Sequence, residues 1–145
     1  MTLPAAEPAR VVVVDEDPDD LQDRGGRILI VEDNVIVREG LEALLTKWGY
    51  DTVAASDGEQ ALDLAERDEW RFGCIVTDQR LGAGLTGVET ATEILRRSGR
   101  ALPTLVLTGD TAKENIAEIV ASGFELMHKP IVSTPLRRTI ARMMG

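Results

Sequence analysis

The chain has 145 residues, a single cysteine and a formal charge of −9, which sizes it for one domain with its own core and argues against a nucleic-acid partner, since a polyanion is held by clustered Lys and Arg. No apolar stretch is long enough to span a bilayer, and no basic start precedes an apolar N-terminal segment, so neither a membrane span nor a signal peptide is visible and the cytosol is the default compartment. Cys74 opens an apolar run and reads as a structural, buried thiol rather than half of a disulfide.

The charge is unevenly spread. Residues 1–26 hold seven acidic and two basic side chains, net −5, leaving −4 for residues 27–145. That first stretch is rich in Pro, Asp and Gly without helical or alternating apolar spacing, and it reads as an acidic linker or N-terminal extension. Residues 11–14 are four valines followed by Asp15-Glu16, a near copy of the later ILIV-Glu-Asp. Pro18 and Gly25-Gly26 leave no room for a helix after it, so the second copy is the true first strand of a strand-helix unit. The valine run itself stays open between a loosely docked segment and an extra edge strand or a contact with another chain.

From Arg27 short apolar runs alternate with amphipathic stretches five times, a βα repeat. After ILIV, the residues Val37, Leu41, Leu44, Leu45 and Trp48 mark one helical face, with Gly49 placed for a left-handed cap. Residues 52–55 make a second strand, and Ser56-Asp57-Gly58 opens a weakly apolar helix whose Ala61, Leu64 and Ala65 point inward. CIV is the third strand. Beyond a glycine-rich loop, Thr86 with Glu89 forms a capping-box pattern ahead of Val88, Ala91, Ile94 and Leu95. LPTLVL is the fourth strand; Thr111 and Glu114 repeat the capping pattern before the stripe Ile116, Ile119, Val120, and Gly123 ends it. Residues 124–127 give the fifth strand, after which Thr134 caps and Pro135 begins a last helix carrying Leu136, Ile140 and Met143. Strands joined through helices pair in parallel with helices on both faces. The expected fold is a doubly wound α/β sandwich with the first, third and fourth strands, the continuous Val/Ile/Leu runs, in the middle.

In such a sheet the carboxyl ends of all strands share one edge, where ligands sit. Here those ends are Glu32-Asp33, Thr77-Asp78, Thr108 and His128-Lys129-Pro130. Three carboxylates converging there are costly unless a cation neutralises them, and hard oxygen donors completed by water suit Mg²⁺, while the lone His128 makes no metal site. Asp78 is the candidate nucleophile toward phosphorus, Thr108 a hydrogen-bond donor to one phosphoryl oxygen, and Lys129 a compact charge for another. Taken singly, Asp78 and Thr108 read equally as helix caps and Lys129-Pro130 as a surface turn; their order on successive strand ends is what carries the chemistry.

The segments RILIVEDN, IVTDQRL, LVLTGD and MHKPI together resemble the response-regulator receiver domain of two-component signalling, over residues 27–145. The resemblance implies a (βα)5 flavodoxin-like fold with strand order 2-1-3-4-5, Asp78 as phosphoacceptor, Glu32 and Asp33 as the Mg²⁺-binding acidic pair, and the main-chain carbonyl of Arg80 as a further metal ligand. It also implies Thr108 as switch hydroxyl and Lys129 as phosphoryl-binding lysine. The donor would be a phosphohistidine on a histidine kinase or phosphotransfer protein, and phosphorylation would shift a surface formed by the fourth helix, fifth strand and fifth helix. Such a domain is a phosphoacceptor with self-catalysed phosphorylation and dephosphorylation rather than an enzyme in its own right.

The chain departs from the family in the switch aromatic, which is Leu126 here, and in the loop RLGAGLTG, which carries three glycines and no proline and is expected to be mobile. That loop and HKP resemble the C-terminal receivers of hybrid histidine kinases, and TLPAAEPA resembles the exit from a kinase ATP-binding domain. With no output domain after Met144, output is expected to pass through partner proteins; the downstream target is open, as is a homodimer. Two other classes stand beside this reading. A haloacid-dehalogenase-type phosphatase needs a second Asp where Arg80 stands, and a nucleotide or flavin binder needs glycines that VEDNVIVREG lacks. A receiver-like interaction module that is never phosphorylated is the remaining alternative.

Overall fold

The computed structural model describes residues 11–12, 25–109 and 113–145, with side chains described for all of these except 11–12 and 113–115. The chain forms β1 (Val11–Val12), β2 (Arg27–Val31), α1 (Val35–Lys47), β3 (Asp51–Ala55), α2 (Gly58–Arg67), β4 (Cys74–Asp78), α3 (Gly87–Ser98), β5 (Thr104–Thr108), α4 (Lys113–Ser122), β6 (Glu125–His128), β7 (Ile131–Val132) and α5 (Ser133–Met144). Five strands pair in parallel in the order β3-β2-β4-β5-β6, which is the 2-1-3-4-5 order of the five βα units. The central strands β4 and β5 are buried along their whole length, whereas the edges β3 and β6 are only partly covered, the outcome that continuous apolar runs in the first, third and fourth units dictate.

Alternation along the strands sends residues to two separate cores. Ile28, Ile30, Cys74 and Val76 pack with Val37, Leu41 and Leu45 of α1, with Trp48 at its C-cap, and with Leu136 and Ile140 of α5. Leu29, Val31 and Ile75 pack with Ala61, Leu62 and Ala65 of α2 and Ala91 and Ile94 of α3. A smaller cluster of Val88, Val106 and Ile119 lies under α4. In α2 the fully covered leucine is Leu62, while Leu64 is only partly buried. In α4, Ile119 is buried but Val120 is 65% exposed, so the expected three-residue stripe narrows. Cys74 is buried and unpaired with another cysteine, and burial pushes its thiol up to about 12.

Helix ends follow their caps. The Asn34 and Asp57 side chains accept from the third residue of α1 and α2, Thr86 and Glu89 close the capping box of α3, and Gly49 and Gly123 take positive φ where α1 and α4 end. Thr111 lies outside the described residues, as does its capping role. At α5 the helix begins at Ser133 with Val132 in the N-cap position and no side-chain cap, so Thr134 is already inside the first turn; Pro135 is tolerated there because first-turn N–H groups have no helical acceptor.

β1 lies outside the main sheet. Val11 and Val12 pair in parallel with Ile131 and Val132 and contact α1, so this part of the valine run forms a short added strand beside the start of α5; residues 13–14 lie outside the described set. Among the described residues no helix is long and apolar enough to cross a membrane.

Candidate functional site

Each group at the carboxyl edge is placed by the backbone that delivers it. β2 ends at Val31, and the Glu32 N–H continues the ladder to Ala55 O at 3.0 Å before the chain turns into α1. The turn is held by the Arg38 guanidinium on Glu32 O at 2.9 Å and by Asn34 N–H on Glu32 Oε2 at 3.2 Å. Asp78 is the last residue of β4 and pairs with Leu107, which sets Thr108 one residue further along the neighbouring strand. Thr108 is 1% exposed, and its carbonyl accepts from Lys129 N–H at 2.8 Å.

Lys129 then reaches across the edge. Its ammonium lies 3.0 Å from Glu32 Oε1 and 3.2 Å from Asp78 Oδ2. Glu32, Asp33 and Asp78 each present a carboxylate oxygen within 4.8 Å of the others, the arrangement a divalent cation requires. The structure thus brings together Glu32, Asp33, Asp78 and Lys129, with Thr108 on the adjoining strand end. Arg80 is exposed at the start of the loop after β4, His128 is exposed, and Leu126 is partly buried against Val88, Val106 and Ile119.

The electrostatics of the site are those of a cluster short of positive charge. Burial, reinforced by Asp78 and opposed by Lys129, raises Glu32 to about 7. Burial also raises Asp78, against the pull of Lys129. For Lys129, burial favours the neutral amine, but Asp78 and Glu32 outweigh it and hold the ammonium charged above its ordinary value. One ammonium does not fully compensate three carboxylates, and all three offer hard oxygens, so the donor set fits Mg²⁺.

Two residues beside Asp78 escaped the reading from sequence. Gly87 opens α3 so close to β4 that a Cβ there would sit 2.2 Å from Asp78 O. Gln79 is 2% exposed and bonds through both its main chain and its side chain. The signal for Gln79 was an amide directly following the strand CIVTD, a place where a polar side chain that becomes buried must find partners. At Gly84 a Cβ would meet the end of the exposed Glu59 side chain at 2.7 Å, which can swing aside, and only Gly82 of the loop's three glycines takes positive φ.

Comparison with known proteins points one way. The model of the response regulator receiver domain family matches residues 28–141. The response regulator MprA of Mycolicibacterium vanbaalenii is 38% identical over 118 residues, 81% of this chain and 48% of that protein; MprA of Mycobacterium avium is 37% identical over 118 residues, again 81% of this chain and 49% of the relative. The chain therefore spans about half the length of these curated relatives. Among solved structures, the receiver domain of the sensor histidine kinase PA1611 from Pseudomonas aeruginosa, with magnesium coordinated in its active-site cleft, aligns with TM-score 0.73 and 32% identity over 83% of this chain and 98% of that one. Vibrio cholerae chemotaxis protein CheY4 aligns with TM-score 0.71 and 29% identity over 81% and 97%.

Proposed function

The chain belongs to the response regulator receiver domain family, and from that membership we propose that Asp78 is its phosphoacceptor, taking a phosphoryl group from a phosphohistidine on a histidine kinase or phosphotransfer protein. The observation that carries this assignment is the Lys129 ammonium spanning Glu32 and Asp78 beside Asp33 at the carboxyl edge of the sheet.

In the transfer, an Asp78 oxygen attacks phosphorus in line, the P–N bond to the donor imidazole breaks as the P–O bond forms, and the imidazole keeps the electron pair. Lys129 offsets charge on one phosphoryl oxygen, and Thr108 donates a hydrogen bond to another. Glu32, Asp33 and Asp78, with the Arg80 main-chain carbonyl, would hold Mg²⁺, which supplies Lewis-acid neutralisation of the phosphoryl charge. Because these groups belong to the acceptor itself, the domain promotes its own phosphorylation and dephosphorylation. Residues 27–145 form the receiver unit and residues 1–26 an acidic extension, working in the cytosol where such donors form. The glycine-rich loop after Asp78 and the likeness to the PA1611 receiver support a hybrid histidine kinase as parent, which is decided by whether the natural gene product carries a kinase core.

The direct test is mass spectrometry after incubation with a small phosphodonor and Mg²⁺. Wild type is expected to gain one phosphoryl mass that hydroxylamine removes, and Asp78→Asn to gain none. Equal labelling of both would overturn the assignment of Asp78, and no labelling of the wild type would favour an interaction module that works without phosphorylation.

A further inference from the structure

Gln79 adjoins the acceptor and is bonded on four sides. Its N–H donates to Leu107 O at 2.9 Å, its carbonyl accepts from Gly87 N–H at 3.0 Å, its side-chain oxygen accepts from Val88 N–H at 3.0 Å, and its side-chain NH₂ donates to Glu118 Oε1 at 2.6 Å. The first three bonds tie it to β5 and to the first turn of α3. The fourth reaches α4, a helix that follows directly on the segment after Thr108. The other carboxylate oxygen of Glu118 lies 3.5 Å from the Thr86 hydroxyl, at the α3 cap. Glu118 is thus where α4 meets the residue next to Asp78.

Little else polar fastens α4 to the site among the described residues, and its apolar contact centres on Ile119 with Val88, Val106 and the partly buried Leu126. With leucine rather than an aromatic ring at position 126, an aromatic rotation is not available to connect the acceptor to this helix. A charge-assisted hydrogen bond between a buried amide and a carboxylate is directional, and it is lost once the partners separate.

We propose that the Gln79–Glu118 bond is the latch that couples Asp78 to α4. In the unphosphorylated domain it holds α4 against the start of α3. When the phosphoryl group draws Thr108 toward Asp78, α4 shifts and the bond opens. This rests on Asp78 being the acceptor. By linkage, a bond present only in the unphosphorylated arrangement opposes the phosphorylated one, so removing it favours the latter.

The test is titration of the full chain with beryllofluoride and Mg²⁺, followed by ¹⁹F NMR for occupancy and by amide exchange in α4. Glu118→Ala is expected to speed exchange in α4 before any beryllofluoride is added and to tighten beryllofluoride binding about fivefold, at the low end of ordinary coupling factors. Glu118→Gln, which still offers an oxygen to the Gln79 amide, is expected to stay within about twofold of wild type. A merely structural contact would weaken binding when lost. Unchanged or weaker beryllofluoride binding by Glu118→Ala, with ¹⁹F resonances showing the wild-type site filled, overturns the latch and leaves the acceptor assignment standing. A wild-type site that never fills, or that fills equally in Asp78→Asn, removes the acceptor assignment and the latch with it.

Discussion

The two helices that follow the central strands are held to the site in opposite ways. α3 is fastened to β4 by backbone: Gly87 N–H bonds Gln79 O, Gly87 packs against Asp78 O, and a full capping box closes its first turn over a face that buries Val88, Thr90, Ala91 and Ile94. Among its described side chains, α4 meets the same region through the Glu118 carboxylate and the fully buried Ile119, while Val120 is 65% exposed. Backbone bonds and close packing fix the start of α3, whereas the described side chains of α4 bind it more sparsely. Under the role proposed for Asp78, that inequality would keep the acceptor fixed while a surface moves.

The largest way to break it is Gly87→Ala. A methyl group there would sit 2.2 Å from Asp78 O and 3.0 Å from the Thr77 hydroxyl, so α3 must lift from Asp78. We expect about 3 kcal/mol of lost stability by urea denaturation together with slower phosphorylation, because overpacking against backbone cannot relax through a rotamer change. Ile119→Ala attacks the other helix and is expected to cost about 2 kcal/mol, the low end for Ile→Ala, since a loosely held helix collapses into the space. Its signature is amide exchange that rises in α4 and not in α3; equal rises in both helices would mean the two are one cooperative unit and the contrast is false.

Charge offers a subtler probe. Glu32 titrates near 7 in the folded protein against 4.5 for the free group, so without metal its contribution to stability is fully present below 4.5 and is lost as pH rises through 7. Chelated protein is expected to lose about 1–2 kcal/mol between pH 5 and 8, less than the full shift converts to because Asp78 and Lys129 share the titration. Mg²⁺ selects the ionised carboxylates and should abolish or reverse that slope, and Glu32→Gln should flatten it in thermal melts. Exchange in α4 should rise across that window ahead of α3.

Most of the architecture could be read from residue order because it is written in apolar periodicity. The unbroken burial of Ile28, Leu29, Ile30 and Val31, shared between two cores, and the face Val37, Leu41, Leu44, Leu45 each follow from local spacing. The grouping of Glu32, Asp33, Asp78 and Lys129 was equally accessible, since a parallel sheet brings successive strand ends to one edge without any knowledge of side-chain contacts. What escaped is what depends on tertiary geometry. Nothing local shows that Gly87 lies against Asp78, that the Gln79 amide finds Glu118 39 residues away, or that Val11–Val12 pairs with Ile131–Val132. The start of α5 was misplaced for a related reason: β7 runs directly into Ser133, which is 1% exposed, so the preceding strand rather than the Thr134 hydroxyl sets where the helix begins.

The finest test of the contrast is Thr86→Ala, because Thr86 serves both helices unequally. Its hydroxyl accepts from Glu89 N–H at 3.1 Å as the cap of α3, and lies 3.5 Å from Glu118 Oε2 on α4. Losing the cap should cost about 1 kcal/mol. The distance to Glu118 is at the outer limit of a hydrogen bond, so that contact should add almost nothing. The expected result is a lower urea midpoint with an unchanged slope, faster exchange confined to the first turn of α3, and α4 exchange as in wild type. A rise in α4 comparable to that of Glu118→Ala would show that the threonine, and not Gln79, carries the link between β4 and α4.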